Sequence, residues 1–83
     1  MNTKQAVAKR IKELCNEHGV TVNTLSHNAG LPPSTVYSML NEKSQNPGVI
    51  TLKKICDGFE NPKVTLADFF DTDVFRSLEQ EIR

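Results

Sequence analysis

The chain has 83 residues, enough for one domain with a modest core and too few for a second. Its content, 37% hydrophobic and 24% charged, is that of an ordinary globular domain, with nothing resembling a membrane span or a signal peptide, so a cytoplasmic protein is expected. The formal net charge of zero argues, taken alone, against a polyanionic partner, but the charge is unevenly placed. Residues 1–54 carry Lys4, Lys9, Arg10, Lys12, Lys43, Lys53 and Lys54 against Glu13, Glu17 and Glu42, a net of +4, and residues 55–83 carry a net of −4. Such a dipole can orient the molecule on a polyanion while weakening non-specific attraction.

A first helix is predicted over residues 3–18, with Val7, Ile11, Leu14 and Cys15 as its buried stripe and Gly19 ending it. Next, Val22, Leu25 and Ala29 recur at helical spacing, while Asn23, Thr24, His27 and Asn28 point away from that face. Gly30 stands where the chain must turn with positive φ, a conformation that costs any residue with a Cβ. Pro32 and Pro33 restart the chain, and a helix beginning near Pro33 loses nothing by the missing N–H. On that helix Val36, Met39 and Leu40 share the core face; Ser34, Ser38 and Asn41 lie opposite, with Thr35 and Tyr37 on the flanks. Two short helices hinged at a glycine, the second exposing only short hydrogen-bonding side chains, form a helix-turn-helix pattern able to enter a major groove. The bland reading is an αα-hairpin whose polar face meets water.

Residues 44–49, containing Asn46-Pro47-Gly48, read as a loop. A fourth helix is predicted from Thr51 as N-cap, burying Leu52, Ile55, Cys56 and Phe59 and stopping before Pro62. Thr65 and Asp68 have capping-box spacing for a short fifth helix presenting Leu66, Phe69 and Phe70. Asp71-Thr72-Asp73 offers another N-cap, after which Val74, Phe75, Leu78 and Ile82 form an amphipathic stripe to the C-terminus. The expected fold is all-α: five compact helices over residues 1–71 and an additional helix over 72–83 that packs on its own domain or on a second copy. Cys15 and Cys56 lack CxxC spacing and fall on apolar faces, so they read as reduced core residues; no metal or cofactor is expected. His18 and His27 read as surface residues, His18 closing a helix C-terminus.

Residues 21–40 resemble the lambda-repressor-like, or Cro-type, helix-turn-helix family, also called the xenobiotic-response-element family of bacterial and phage regulators. Leu25 and Ser26 match its leucine and small residue, Gly30 its turn glycine, and Val36 and Met39 its two apolar positions in the second helix. The likeness extends from about Val7 to Phe70. Three positions depart from the pattern. Val22 stands where the family often has a phosphate-binding glutamine, so a backbone N–H must serve there. Glu42 replaces the usual glycine after the second helix, so Asn41 or Glu42 is expected to adopt the left-handed cap. Ser38 stands where relatives often carry arginine or glutamine, which shifts sequence preference toward shape, water or the flanks.

The resemblance implies a regulator of transcription that binds double-stranded DNA, most simply a repressor acting as a homodimer. The residues expected at DNA are Asn23, Pro33, Ser34, Thr35, Tyr37, Ser38 and Asn41, with Lys43, Lys53 and Lys54 on phosphates; those expected at a dimer contact are Val74, Phe75, Leu78 and Ile82. No sensor domain follows, which favours a small phage or mobile-element regulator or the antitoxin half of a toxin pair with a protein partner. A different class is a protein-interaction module that has lost DNA reading and uses Tyr37, Met39 and Leu40 as a contact patch. An enzyme is not expected: there are no paired carboxylates placed with a histidine, no Gly-rich phosphate loop and no nucleophile elbow.

Overall fold

The structure, a computed structural model, describes residues 2–41 and 47–78. Its elements are α1 (Thr3–His18), α2 (Val22–Ala29), α3 (Pro33–Leu40), α4 (Val49–Asp57), α5 (Leu66–Phe70) and α6 (Asp73–Arg76), with no strand among the described residues. Local signals set most of the boundaries. Asn2 starts α1 through a reciprocal capping box, its Oδ1 accepting from the Gln5 N–H and the Gln5 Oε1 accepting from the Asn2 N–H, each at 2.9 Å. Gly19 ends α1 and Gly30 ends α2 at φ 65° and 68°. At each end the next residue closes a Schellman pair: Val20 N–H donates to the Cys15 carbonyl and Leu31 N–H to that of Ser26, both at 3.0 Å. Val20 and Leu31 then pack against the core, so each turn is held from both sides.

The core draws on every helix from α1 to α5. Val7, Ile11, Leu14 and Cys15 of α1 meet Leu25 of α2, Val36 and Met39 of α3, Leu52, Ile55 and Cys56 of α4, and Phe59, Val64 and Phe69 beyond it. Ile11, Leu25, Val36, Ile55 and Phe69 are wholly buried, and burying side chains of this size contributes about 1.5–3 kcal/mol each. Helix α3 packs on both α1 and α2, and α2 also packs on α4, so the polar face of α3 is aimed by three other helices. The thiols of Cys15 and Cys56 are free and buried, and burial pushes both above the ordinary thiol range.

Four expectations need correction. Helix α4 begins at Val49 with Gly48 as N-cap, so Thr51 lies inside it; Val49 and Ile50 are 66% and 72% exposed, which hid a first turn that precedes the buried stripe. Asn41 is extended, at φ −105° and ψ 154°, so it is not a left-handed cap; Glu42 lies outside the described residues. Helix α6 ends at Arg76 rather than continuing to Ile82. Ser77 N–H returns to the Asp73 carbonyl and its Oγ donates to that of Val74, local bonds that close the turn, and Leu78 is not helical. Phe75 instead packs on Phe69 and Phe70 of its own chain, with ring centroids 6.1 and 4.9 Å away, and Ile82 lies outside the described residues. Finally, His18 is a half-buried clasp rather than a surface residue. Its ring lies 4.9 Å from that of Phe59, and Nδ1 and Nε2 each sit 2.9 Å from a carbonyl oxygen, of Leu14 and Pro62 respectively.

Candidate nucleic-acid interface

The geometry of α2 and α3 follows from their two apolar stripes. Leu25, Ala29, Val36 and Met39 are buried, and Ser26, also fully buried, donates through Oγ to the Val22 carbonyl at 2.8 Å, so its hydroxyl costs the packing nothing unsatisfied. Thr21 caps α2, its Oγ1 accepting from the Thr24 N–H at 3.1 Å. Asn23, Thr24, His27 and Asn28 are exposed on the outer side of α2, as their spacing predicts.

Helix α3 starts with Pro32 as N-cap and Pro33 as its first residue, with no side chain capping it. Ser34, Tyr37, Ser38 and Asn41 are all exposed and stand at i, i+3, i+4 and i+7, which makes one continuous strip along the helix and its end. Pro33 is exposed beside them, and Thr35 is half-buried on the flank. Tyr37, 50% exposed, is the largest group on the strip. Its other members are short, and an α-helix, about 10–12 Å across with its side chains, fits a major groove about 12 Å wide.

Electrostatically this strip is bare. Residues 21–41 contain no Lys, Arg, Asp or Glu. No acid lies in the first turn of α1, α2, α3 or α4, whereas Asp68 and Asp73 occupy the first turns of α5 and α6. The N-terminal dipoles of α2 and α3 are therefore uncompensated, which favours an anion there. The cations lie outside this segment. Lys53 and Lys54 are exposed on α4, but Lys53 is engaged by Asp57 at 2.5 Å, an exposed i, i+4 pair worth only about 0.3–0.5 kcal/mol and easily exchanged for another anion. Lys43 lies outside the described residues.

Elsewhere the surface offers little chemistry. Among the described residues no group of three or more His, Cys, Asp or Glu could hold a metal ion, and no helix is long and apolar enough to cross a membrane. A groove of about 680 Å³ between α4 and α5 has Phe59, Val64 and Leu66 in its lining and Lys53, Asp57, Glu60 and Lys63 among its charged residues, a mixed set with no convergent catalytic arrangement. Arg10, read from sequence only as one of the charges of the basic half, is bound to the backbone of α5, and no short-range pattern could have shown this.

Comparison with known proteins bears on the same elements. A family model described as a Cro/C1-type HTH DNA-binding domain matches residues 10–73, which take in α2, α3 and the turn between them. Among solved structures, the chain is similar to the prophage Lp1 protein 11, with a TM-score of 0.78 and 29% identity over 94% of this chain and 100% of that one. Comparison with curated proteins gives no match.

Proposed function

The chain belongs to the Cro/C1-type helix-turn-helix DNA-binding family, and from that premise we propose that it is a repressor of transcription that reads duplex DNA by laying α3 in the major groove. The observation that carries this reading is the exposed strip of Ser34, Tyr37, Ser38 and Asn41, backed by a core that holds α3 from α1 and α2. Ser34 and Ser38 face base edges; Pro33, Thr35, Tyr37 and Asn41 line the groove walls beside them. Asn23 and the N–H groups at the start of α2 meet the backbone of one strand. Lys53 and Lys54, with Lys43, meet phosphates next to the groove.

The proposed repressor acts as a homodimer, because one domain of this size reads only a few base pairs and two-fold repetition on half-sites about 34 Å apart multiplies affinity. Phe75 is engaged within its own chain. The dimer contact therefore falls to Val74 and Leu78, both half-buried, together with Ile82.

Selection of bound fragments from random duplex DNA, repeated over a salt series, tests the reading. We expect a two-fold symmetric site to be enriched, with affinity falling as salt rises, and a reporter carrying that site across its promoter to be turned down. Absence of both enrichment and salt dependence would discard DNA reading; increased reporter output would discard repression alone.

A further inference from the structure

The side chains that identify guanine, adenine and cytosine in a major groove are Arg or Lys, Asn or Gln, and Glu or Asp respectively. None of the six occurs in α3 between Pro33 and Leu40. The serines of that helix are both donors and acceptors, so they bond several bases alike. One mark in the groove is read without any hydrogen bond: the C5-methyl of thymine, which an apolar side chain recognises by contact.

The exposed face of α3 carries such a group. Pro33 and Tyr37 stand at i and i+4, both exposed, and form an apolar edge beside the polar line of Ser34 and Ser38. Tyr37 is 50% exposed, and among the described residues none is hydrogen-bonded to its hydroxyl or stacked on its ring. Its direction is set all the same, because Val36 and Met39 on either side of it are buried and fix the rotation of the helix. A tyrosine has only two side-chain torsions, so it presents a large contact area and loses little freedom on contact.

We infer that Tyr37 is a specificity-determining residue that reads thymine, its ring packing on the C5-methyl from the groove wall while Ser34 and Ser38 bond neighbouring base edges. The assignment rests on the duplex-DNA reading proposed above. It gives α3 a base identity that serine hydroxyls alone do not supply, and it places a thymine at one fixed position in each half-site. Covering one methyl group changes affinity by about fourfold.

The test starts from the duplex selected by the full chain and replaces its thymines, one symmetric pair at a time, with deoxyuridine. This keeps every hydrogen bond of the base and removes only the methyl. Wild type, Tyr37→Phe and Tyr37→Ala are compared on each duplex, with thermal melting of each protein as a check on folding. At one thymine per half-site the replacement should weaken wild type by about fourfold for each half-site, and Tyr37→Phe, which keeps the ring, by as much. Tyr37→Ala, already weaker on the thymine duplex, should be indifferent to the replacement there. A selected half-site without thymine, or a wild type that loses nothing at any thymine, overturns the assignment whatever the variants do. So does a deoxyuridine effect that persists undiminished at every position in Tyr37→Ala, and so does a Tyr37→Phe protein that becomes indifferent, since the hydroxyl would then make the contact. If wild type selects no duplex at all, the DNA reading itself fails and this contact with it.

Discussion

The guanidinium of Arg10 closes the C-terminal end of α5: Nε donates to the Phe69 carbonyl at 2.8 Å and Nη2 to that of Asp68 at 2.9 Å. The Asp68 carbonyl also accepts the Asp71 N–H at 3.3 Å, so the guanidinium adds a second donor there and supplies one to Phe69, and its charge suits the negative end of the helix dipole. The bond ties α1 to the short helix that delivers Phe69, a wholly buried ring, to the core. Arg10→Ala should destabilise the fold by about 1–3 kcal/mol, and Arg10→Lys should recover only part because an ammonium cannot reproduce the planar fork. Urea denaturation measures both variants. An unchanged midpoint in Arg10→Ala would show that water replaces the guanidinium at no cost.

A second contact controls how α2 is held. Gly58 follows α4 at φ −73°, where any residue is comfortable, yet a Cβ built there would stand 2.9 Å from Leu25 Cδ1 and 3.2 Å from both the Cβ and the backbone nitrogen of Ala29. Two opposing effects meet in Gly58→Ala. At a compatible exposed site the substitution stabilises by about 0.4–1 kcal/mol through the unfolded chain. Here the clash includes backbone and a fully buried leucine, and overpacking of that kind costs about 1–3 kcal/mol, so the net sign should be destabilising. A thermal midpoint higher than wild type would mean that α2 and α4 separate readily.

These two relations mark where the sequence stops being readable. The ends of α1 and α2 and the start of α3 were legible because Gly19, Gly30 and Pro33 act through their own backbone geometry, and the buried faces were legible because their period is local. Arg10 on Phe69, His18 on Pro62 and Gly58 against Leu25 join residues far apart in sequence, and no local pattern encodes them. The start of α4 was misread for another reason: Thr51 is a good N-cap by residue type, but Gly48 caps the helix and Val49 and Ile50 form an outward-facing first turn before the buried stripe. At the candidate site the strip on α3 could be read from helical phase alone. The Lys53–Asp57 pair also had readable i, i+4 spacing.

The capping box of α5 gives the fold a titratable element. Asp68 accepts from the Thr65 N–H at 3.1 Å while Thr65 Oγ1 accepts from the Asp68 N–H at 3.0 Å. The bond from the Thr65 backbone, then that involving its side chain, with a smaller contribution from the charge of Arg10, holds the Asp68 carboxyl below the usual aspartate value. A lowered folded-state value means that the ionised form stabilises the fold above the ordinary range of about 3.9, and that this contribution is lost as pH falls through the folded value. Wild type should therefore melt higher than Asp68→Asn at pH 6, with the difference shrinking below about pH 4 as Asp68 takes up its proton. A difference that stays constant down to pH 2 would assign the effect to something other than the carboxylate's charge.

The reading face itself yields the most direct prediction for function. Ser34 and Ser38 are exposed, one turn apart on the same side of α3, and opposite Val36 and Met39, which fix the rotation of the helix from within the core. A serine hydroxyl is both donor and acceptor, so each can bond a base edge, but neither has the two-pronged geometry that makes arginine or glutamine decisive. Replacing both with alanine removes these bonds without adding bulk or charge, and because the two sites are exposed the fold should melt within about 0.5 kcal/mol of wild type. On the selected duplex the double variant should lose about 0.5–1.5 kcal/mol for each single hydrogen bond removed, less than a bidentate contact would cost, while its affinity for unrelated duplex and its salt slope remain those of wild type. That separation is the informative outcome, since a phosphate contact weakens every sequence equally and a base contact does not. Retention of full preference by the double variant would move sequence reading off the Ser34 and Ser38 face, toward Tyr37 and Asn41 or toward the shape of the duplex.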